Sequence, residues 1–190
     1  FLFLKDTDGD DKADVREVLT TGWGIGDTHA GPSNLRYGFD NWIWGTVGYS
    51  AFNGKVGGEE KRFGSGAFRM KPDGSQLEFL HQFNNNTWGL GFNSAGDVFG
   101  STANNNPSFF CGIRATAYPK GKKGMSAKMI APDRSFHPIT PNIRQVDAFN
   151  NYTAGAGQTV ATSAGFPESF REQVAFIGGP TGHLLGKYHL

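Results

Sequence analysis

A gapless internal repeat constrains the fold of this sequence most strongly. Residues 35–48 (LRYGFDNWIWGTVG) align with residues 90–103 (LGFNSAGDVFGSTA) without an insertion. The aligned pairs include Leu35 with Leu90, Tyr37 with Phe92, Ile43 with Val98, and Gly45 with Gly100. A period of about 55 residues built from short strands is in the range of β-propeller blades. The repeat therefore predicts an all-β fold, a partial β-propeller with four-stranded antiparallel blades.

The segments around the repeat extend this pattern. Residues 66–83 contain two alternating apolar runs joined by PDG, which indicates an outer hairpin between two inner hairpins. We therefore expect one partial propeller domain, residues 1–190. It begins with the outer hairpin of one blade at 1–22 and continues with a second blade at 23–83. A third blade at 84–190 includes a long loop insertion and the start of the next blade.

The pattern breaks after residue 104. Residues 104–124 and 131–145 are rich in Pro, Gly, Asn and Lys, as long loops are. Alternation resumes in residues 158–166 and 173–190, and the pair Pro167–Glu168 favours a short helix that begins there. Two to three blades are fewer than the four to eight that close a propeller, so strand edges should stay unpaired. The chain alone should therefore be poorly soluble.

Charge and cysteine content exclude several classes of function. The net charge is near zero, with eighteen basic and seventeen acidic residues, so the sequence predicts neither a nucleic-acid-binding stripe nor a basic patch for a membrane surface. The basic run at 120–124 indicates a solvated loop. No apolar run approaches the roughly 20 residues that a membrane span needs. The single cysteine, Cys111, excludes an internal disulfide, a thiolate metal cage and covalent haem attachment in this chain. Without a signal peptide or an initiator Met, the sequence is expected to be an internal piece of a longer protein.

An acidic loop near the start has the spacing of a calcium-binding loop. Carboxylates fall at loop positions 1, 3, 5, 9 and 12 and a backbone carbonyl at position 7, in the order Asp6, Asp8, Asp10, Asp14, Glu17 and, for the carbonyl, Lys12. Calcium prefers six to eight hard oxygen ligands, which one flexible loop can supply, so we expect an ion that braces a hairpin. Asp11 stands where an EF-hand loop has an invariant glycine. The alternative is an acidic surface turn without an ion, since Asp and Gly favour turns.

His29 precedes the first copy of the repeat. Residues 29–48 (HAGPSNLRYGFDNWIWGTVG) resemble the segment of soluble quinoprotein glucose and sorbosone dehydrogenases in which a histidine is followed by a β-hairpin. The chain is also similar to the large membrane-bound dehydrogenases of planctomycetes, which join such a propeller to a helical repeat region and a c-type haem domain. The similar motifs are KDTDGDDKAD at 5–14, NNTWGLGF at 85–92, GSTANNNPS at 100–108, YTAGAG at 152–157 and PTGHLLG at 180–186.

This resemblance implies a six-bladed propeller with a central pocket and an extracytoplasmic location. His29 would be the general base toward a sugar or other alcohol, a role that suits an imidazole, with pyrroloquinoline quinone as hydride acceptor. Asn85, Asn86 and Trp88 would line the cofactor pocket, and electrons would leave through a haem domain outside this chain. The chain has Asn85 and Asn86 where the quinoproteins have an arginine and an asparagine, so a bidentate partner for the cofactor's carboxylates is missing.

Other interpretations stay open at the level of sequence. His29 could be an ordinary polar loop residue, and Asn85, Asn86 and Trp88 could simply pack and form hydrogen bonds where a strand begins. His183 precedes a later strand and is either a second pocket candidate or a structural residue. The rival function is a non-catalytic propeller that binds a carbohydrate or a partner protein. A lyase or hydrolase on the same scaffold would need paired carboxylates near the pocket, which the sequence does not indicate.

Overall fold

The computed structural model of the protein is all-β, as the repeat predicts. Its strands form small antiparallel sheets, and no α-helix occurs among the residues described. The described residues are 1–112, 117, 128–130, 135, 137, 139 and 151–190. The predicted loop sequences between 113 and 150, including the basic run at 120–124, lie mostly outside them.

The strands are numbered in chain order. They are β1 (Leu2–Lys5), β2 (Val15–Val18), β3 (Pro32–Tyr37), β4 (Ile43–Val47), β5 (Phe52–Val56), β6 (Glu59–Phe63), β7 (Gly66–Met70), β8 (Leu77–Gln82), β9 (Thr87–Phe92), β10 (Val98–Thr102), β11 (Phe109–Phe110), β12 (Lys128–Met129), β13 (Ala156–Val160), β14 (Val174–Gly179) and β15 (Leu184–His189).

The two copies of the repeat form equivalent hairpins at the start of two four-stranded sheets. Residues 35–48 cover the hairpin β3–β4, and residues 90–103 cover β9–β10. The first sheet has the order β3-β4-β7-β8, and the second has the order β9-β10-β11-β12. The outer hairpin expected between the repeats is β7–β8, which turns at the predicted PDG with Gly74 at a φ of +72°. The hairpins of the two repeat copies therefore flank the hairpin β7–β8 along the chain.

Two smaller sheets flank these. The strands β1 and β2 pair as the hairpin predicted for residues 1–22, with Leu2 opposite Val18. The strands β13, β14 and β15 form a three-stranded sheet from the later alternating segments, and β13 contacts β9 and β10. Because β9 also contacts β3 and β4, it lies between the first strands of its two neighbouring sheets.

A fifth hairpin, β5–β6, is inserted in the sequence between β4 and β7, which pair directly with each other in the first four-stranded sheet. Its two turn residues, Gly57 and Gly58, both have positive φ angles, +58° and +85°. Such a turn matches the right-handed twist of paired strands, and glycine takes this conformation without a steric cost. Phe52 and Phe63 of this hairpin stack on each other and pack in one cluster with Phe68 and Met70 of β7, which anchors the hairpin to the sheet.

The core divides into two clusters, one on each face of the first four-stranded sheet. The cluster between the two four-stranded sheets contains Trp44, Ala67, Leu80, Phe83, Leu90, Val98, Phe109 and Cys111. The cluster under the hairpin β5–β6 contains Val47, Phe52, Val56, Phe68, Met70 and Leu77. Because β4 and β7 contribute to both clusters, this sheet is covered on both faces.

The repeated glycines make room for aromatic rings in this core. A Cβ atom at Gly45 would lie 2.7 Å from the ring of Phe68, and one at Gly100 would lie 2.4 Å from the ring of Phe83. Both distances are too short for a real contact. Glycine therefore recurs at these two aligned positions because a ring lies against the strand at each.

The prediction of a short helix that begins at Pro167–Glu168 is wrong, because residues 168–173 form turns. The Arg171 N–H donates to the Pro167 carbonyl and closes one turn, but Glu172 has a φ of +62° and its N–H donates to Ala161. The chain is thereby directed into β14 instead of continuing as a helix. No helix among the described residues is long and apolar enough to cross a membrane.

Candidate functional site

The loops that lead into the first strands of three sheets gather at one end of the molecule. We call residues 27–31, 84–86 and 152–155, which precede β3, β9 and β13, the entry loops. The Asn86 side-chain Nδ2 donates to the His29 carbonyl over 3.1 Å. The Ala103 N–H donates to the Asn86 carbonyl over 2.7 Å, and the Gly155 N–H donates to the Ala103 carbonyl over 2.8 Å. A continuous run of hydrogen bonds therefore connects all three entry loops.

His29 lies in a short 3-10 helix, Thr28–Ala30, and presents its ring to solvent. Asp27 caps this helix, since its Oδ1 accepts a hydrogen bond from the His29 N–H over 2.9 Å. The side chain of His29 is 89% exposed, with Nδ1 3.8 Å from Asp27 Oδ1. The Ser50 hydroxyl donates to the Asp27 carbonyl over 2.6 Å and holds the loop from its other side. An exposed imidazole on a fixed loop can exchange a proton with a bound molecule.

Asn86 is buried beneath this loop and is 8% exposed. Its Nδ2 is used by the His29 carbonyl, and no described group donates a hydrogen bond to its Oδ1. A Cβ atom at Gly48 would lie 1.6 Å from that oxygen. The amide therefore fills the space beside Gly48, and a side chain at that position would have to displace it.

The other two predicted cofactor residues lie next to Asn86 and are half-buried. Asn85 Oδ1 accepts a hydrogen bond from the Asn86 N–H over 2.8 Å. The Trp88 backbone carbonyl accepts one from Asn34 Nδ2 over 2.9 Å, which ties β9 to β3. The structure thus brings His29, Asn85, Asn86 and Trp88 to one end of neighbouring sheets.

His183 lies at the corresponding end of the three-stranded sheet. Antiparallel pairing of Ala156 with Gly178 places the loop between β14 and β15 beside the start of β13. His183 follows the 3-10 helix Pro180–Gly182 in this loop, is exposed and has a φ of +54°. Its position is comparable to that of the other loops, and no hydrogen bond connects it to His29 among those described.

The acidic loop between β1 and β2 brings three of its predicted ligands together. Carboxylate oxygens of Asp6, Asp8 and Asp14 all lie within 4.8 Å of one another. Asp10 is not in this group and instead pairs with Lys12 Nζ at 2.9 Å. Glu17, the fifth predicted carboxylate, lies on β2 opposite Phe3 and outside the group.

The backbone of this loop explains how Asp11 can stand where an EF-hand loop has glycine. Asp11 has a φ of +64°, the left-handed conformation for which glycine is preferred. Asp and Asn enter this region more readily than other residues with a side chain, so the turn forms without glycine. The position is therefore occupied by a different residue type in the conformation that glycine favours.

Hydrogen bonds within the loop favour the ionised form of two of its carboxylates. Backbone N–H groups, that of Gly9 first, lower the pKa of Asp6. The hydroxyl and the N–H of Thr7 lower the pKa of Asp14. Three converging anionic oxygens are the hard donors that calcium prefers, so the donor set fits the ion on chemical grounds.

Two further features lie apart from the entry loops. Burial raises the pKa of the Cys111 thiol, which therefore does not supply a thiolate nucleophile. A surface cavity of about 250 Å³ lies between the turn of the hairpin β5–β6 and the turn of β7–β8, where Lys61 and Glu78 are among its lining residues. None of the predicted site residues lines this cavity.

Two residues that fix the candidate site were not found from the sequence. Gly48 admits the Asn86 side chain, and Asn34, with a φ of +57° at an irregular point of the β3–β4 pairing, reaches Trp88. Both act on residues about 40 or more positions away, and nothing in their local sequence indicates such a contact. The repeat gives no signal for Gly48 either, because the second copy has Ala103 at the equivalent position.

The comparisons with known proteins define a family. The model of a family described as a domain of unknown function, DUF7133, matches residues 1–190. No curated protein and no solved structure matches the chain. What the protein does must therefore be argued from its own residues.

Proposed function

We propose that this chain, which belongs to the DUF7133 family, is part of a quinoprotein-like dehydrogenase that oxidises a sugar or other alcohol. The family's description names no activity, so the proposal is argued from the residues of the chain. One observation carries the proposal. His29 and Asn86, which the resemblance assigns as base and as cofactor-pocket residue, are joined by a hydrogen bond although they lie 57 positions apart in the sequence. This proximity supports the proposal, because a base and a cofactor-pocket residue must lie close together in one site.

The proposed architecture is a six-bladed β-propeller of which this chain forms part. The four-stranded sheets β3-β4-β7-β8 and β9-β10-β11-β12 would each be one blade, and β13 would begin the next. In that arrangement β3, β9 and β13 are innermost strands, which is consistent with the contacts of β9 with both of the others. The hairpin β1–β2 would complete a blade whose inner strands lie outside this sequence.

The proposed mechanism assigns one step to this chain. The His29 imidazole would take the proton of the substrate hydroxyl, and its exposure leaves it accessible to a bound alcohol. Bound pyrroloquinoline quinone would supply the hydride acceptor for this oxidation. Asn85 and Trp88 would border the pocket, and electrons would pass to a c-type haem domain elsewhere in the protein. An extracytoplasmic location is part of the same proposal.

The cofactor's carboxylates would need a cation that the entry loops do not supply. Residues 27–31, 84–86 and 152–155 contain no arginine or lysine. Amide groups and His29 suit the neutral oxygens of a quinone or sugar, and the positive charge would come from other blades.

This lack of a cation favours a second candidate, a propeller that binds a carbohydrate or a partner protein without catalysis. The two candidates differ in a direct measurement. Equilibrium binding of a neutral sugar, with no reduction of an added dye in the presence of calcium and quinone, supports the binding module. Sugar-dependent dye reduction supports the dehydrogenase.

Calcium is proposed as a structural ion in the acidic loop. Asp6, Asp8 and Asp14 would contribute carboxylate oxygens, and the Lys12 carbonyl, Asp10 and Glu17 would join only if the loop closed further. The ion would brace the hairpin β1–β2, and no described hydrogen bond or ion pair connects this loop with the entry loops.

The test of the proposed function uses the complete protein that contains this chain. Calcium and pyrroloquinoline quinone are added, and sugar-dependent reduction of an artificial electron acceptor is followed. We expect turnover that requires the quinone. His189 lies on β15 and is also exposed, so His189→Ala is a matched control for removal of an imidazole at His29.

A further inference from the structure

We propose that Asn86 is a positioning residue, which fixes the loop carrying His29 and does not itself contact the cofactor. This inference rests on the proposed function for the role of His29, but its structural part can be tested without any activity. It also separates Asn86 from Asn85 and Trp88, which are half-buried beside it.

The Asn86 side chain is buried and engaged by the protein itself. Its Nδ2 donates to the His29 carbonyl over 3.1 Å, and the residue is 8% exposed. A ligand that took this donor hydrogen would leave the His29 carbonyl without that partner. Burying an unsatisfied carbonyl costs free energy, so the internal hydrogen bond is favoured.

The other side-chain atom of Asn86 is closed off by Gly48. No described group donates a hydrogen bond to Oδ1, and the oxygen lies 1.6 Å from the place that a Cβ atom at Gly48 would take. An oxygen this close to a glycine Cα accepts a weak C–H···O contact at best. The amide is thus held between the loop of His29 and the residue that follows β4.

The backbone of Asn86 extends this connection to the next sheet. Its carbonyl accepts the Ala103 N–H, and the Ala103 carbonyl accepts the Gly155 N–H. The loop of His29 is joined in turn to the end of β4, since the Gly48 and Ser50 N–H groups both donate to the Ala30 carbonyl. Asn86 therefore lies at the point where the entry loops of two sheets meet, and its loss should loosen the His29 loop more than the strands.

The experiment compares Asn86→Ala with Asn53→Ala, which removes an exposed amide from β5. In Asn86→Ala, we expect the Ala30 and Gly48 amide hydrogens to exchange with solvent roughly three- to tenfold faster, since each hydrogen bond contributes a modest net amount. Amides in the middle of β4 and β10 should keep their rates. Faster exchange throughout both strands would mean a general loss of stability and would overturn the proposal, as would unchanged exchange at Ala30 and Gly48.

The kinetic part uses the complete protein loaded with quinone. For Asn86→Ala, kcat should fall about tenfold or more, because a base displaced by about 1 Å loses much of its effect, while KM and the quinone Kd stay within about twofold. A quinone Kd raised tenfold or more, with an unchanged exchange pattern, would make Asn86 a cofactor ligand and overturn the proposal. Failure of the wild-type protein to turn over would instead contradict the proposed function, and the exchange result would still decide the positioning role.

A second pair of variants keeps the proposal testable if Asn86→Ala does not fold. Gly48→Ala would bring a methyl group to 1.6 Å from Asn86 Oδ1, whereas nothing lies within 4 Å of a Cβ at Gly31 in the same cluster of loops. Gly48→Ala should reproduce the faster exchange at Ala30, and Gly31→Ala should not. Equal behaviour of the two glycine variants would contradict the proposal.

Discussion

Asp11 shows how one residue can keep a loop conformation while departing from its expected type. Its left-handed backbone allows the acidic loop to turn back on itself, so Asp6, Asp8 and Asp14 converge. The sequence spacing alone treats all five carboxylates as equivalent. The structure separates them, because Asp10 has its own partner in Lys12 and Glu17 belongs to β2.

This separation predicts a graded effect on calcium binding. Asp8→Asn should weaken calcium binding more than Asp10→Asn, because only Asp8 has an oxygen in the converging group. Removing one charged oxygen ligand should raise the Kd about tenfold or more, since affinity of these loops depends on ligand charge. Isothermal titration with calcium measures both variants. Equal weakening by the two substitutions would contradict the proposed ligand set.

The same loop should make stability depend on acid pH. The pKa of Asp14 is lowered by Thr7, so its hydrogen bonds stabilise the folded chain fully above the unfolded value near 3.8, and the contribution is lost as pH falls through the lower folded pKa. Asp14→Asn should reduce the dependence of Tm on pH below about pH 4. Thermal melts at a series of pH values test this, with Glu60→Gln on β6 as an exposed control. A wild-type slope retained in Asp14→Asn would contradict the assignment.

At the scale of elements, the repeat predicted the hairpins that build the two four-stranded sheets. It succeeded because apolar alternation and turn residues are local signals. The hairpin β5–β6 was not predicted, because charged residues in its strands, as in EEKRF, obscure the alternation of apolar and polar positions. The helix expected at Pro167 failed because the turn at Glu172 directs the chain into β14.

Packing between elements predicts a specific cost for filling a repeated glycine. Gly100→Ala would place a methyl group 2.4 Å from the Phe83 ring, so the ring or the strand must move. Overpacking of this kind costs about 1–3 kcal/mol, and the variant should unfold at a lower urea concentration. Gly26→Ala is the control, because nothing lies within 4 Å of a Cβ at that position. An unchanged unfolding midpoint for Gly100→Ala would show that the core relaxes freely.

At the scale of the whole molecule, the described sheets leave apolar side chains on a two-stranded hairpin. Leu2, Leu4 and Val18 are 60%, 52% and 65% exposed, and Leu2 lies opposite Val18. An isolated hairpin of this kind is marginally stable and offers edges for pairing. The proposed propeller accounts for it, because further strands of the same blade would cover it.

This surface predicts self-association of the isolated 190-residue chain. Static light scattering should detect oligomers, and the double variant Leu2→Lys with Val18→Lys should reduce them, because charge on an exposed strand opposes edge pairing. Ile25→Lys, at a loop residue that is 89% exposed, is the control. A monomeric wild-type chain with a sharp cooperative melt would contradict the prediction.

The candidate site was predictable only in part at this scale. The resemblance in motifs selected His29, Asn85, Asn86 and Trp88, and the structure places all four at one end of adjacent sheets. Which of them can meet a ligand was not predictable, because it depends on burial by residues distant in sequence. Gly48 lies against the Asn86 side chain, and this contact forms only when the sheets pack together.

The most direct test of the account follows the quinone in a single turnover. The complete protein is loaded with calcium and pyrroloquinoline quinone, mixed with excess sugar, and the absorbance of the bound cofactor is recorded for the wild type, His29→Ala and His189→Ala. We predict rapid reduction in the wild type and in His189→Ala, and reduction slowed at least about a hundredfold in His29→Ala, with quinone binding unchanged, because a general base contributes on this order. Equal rates for all three proteins, or no binding of the quinone, would contradict the account.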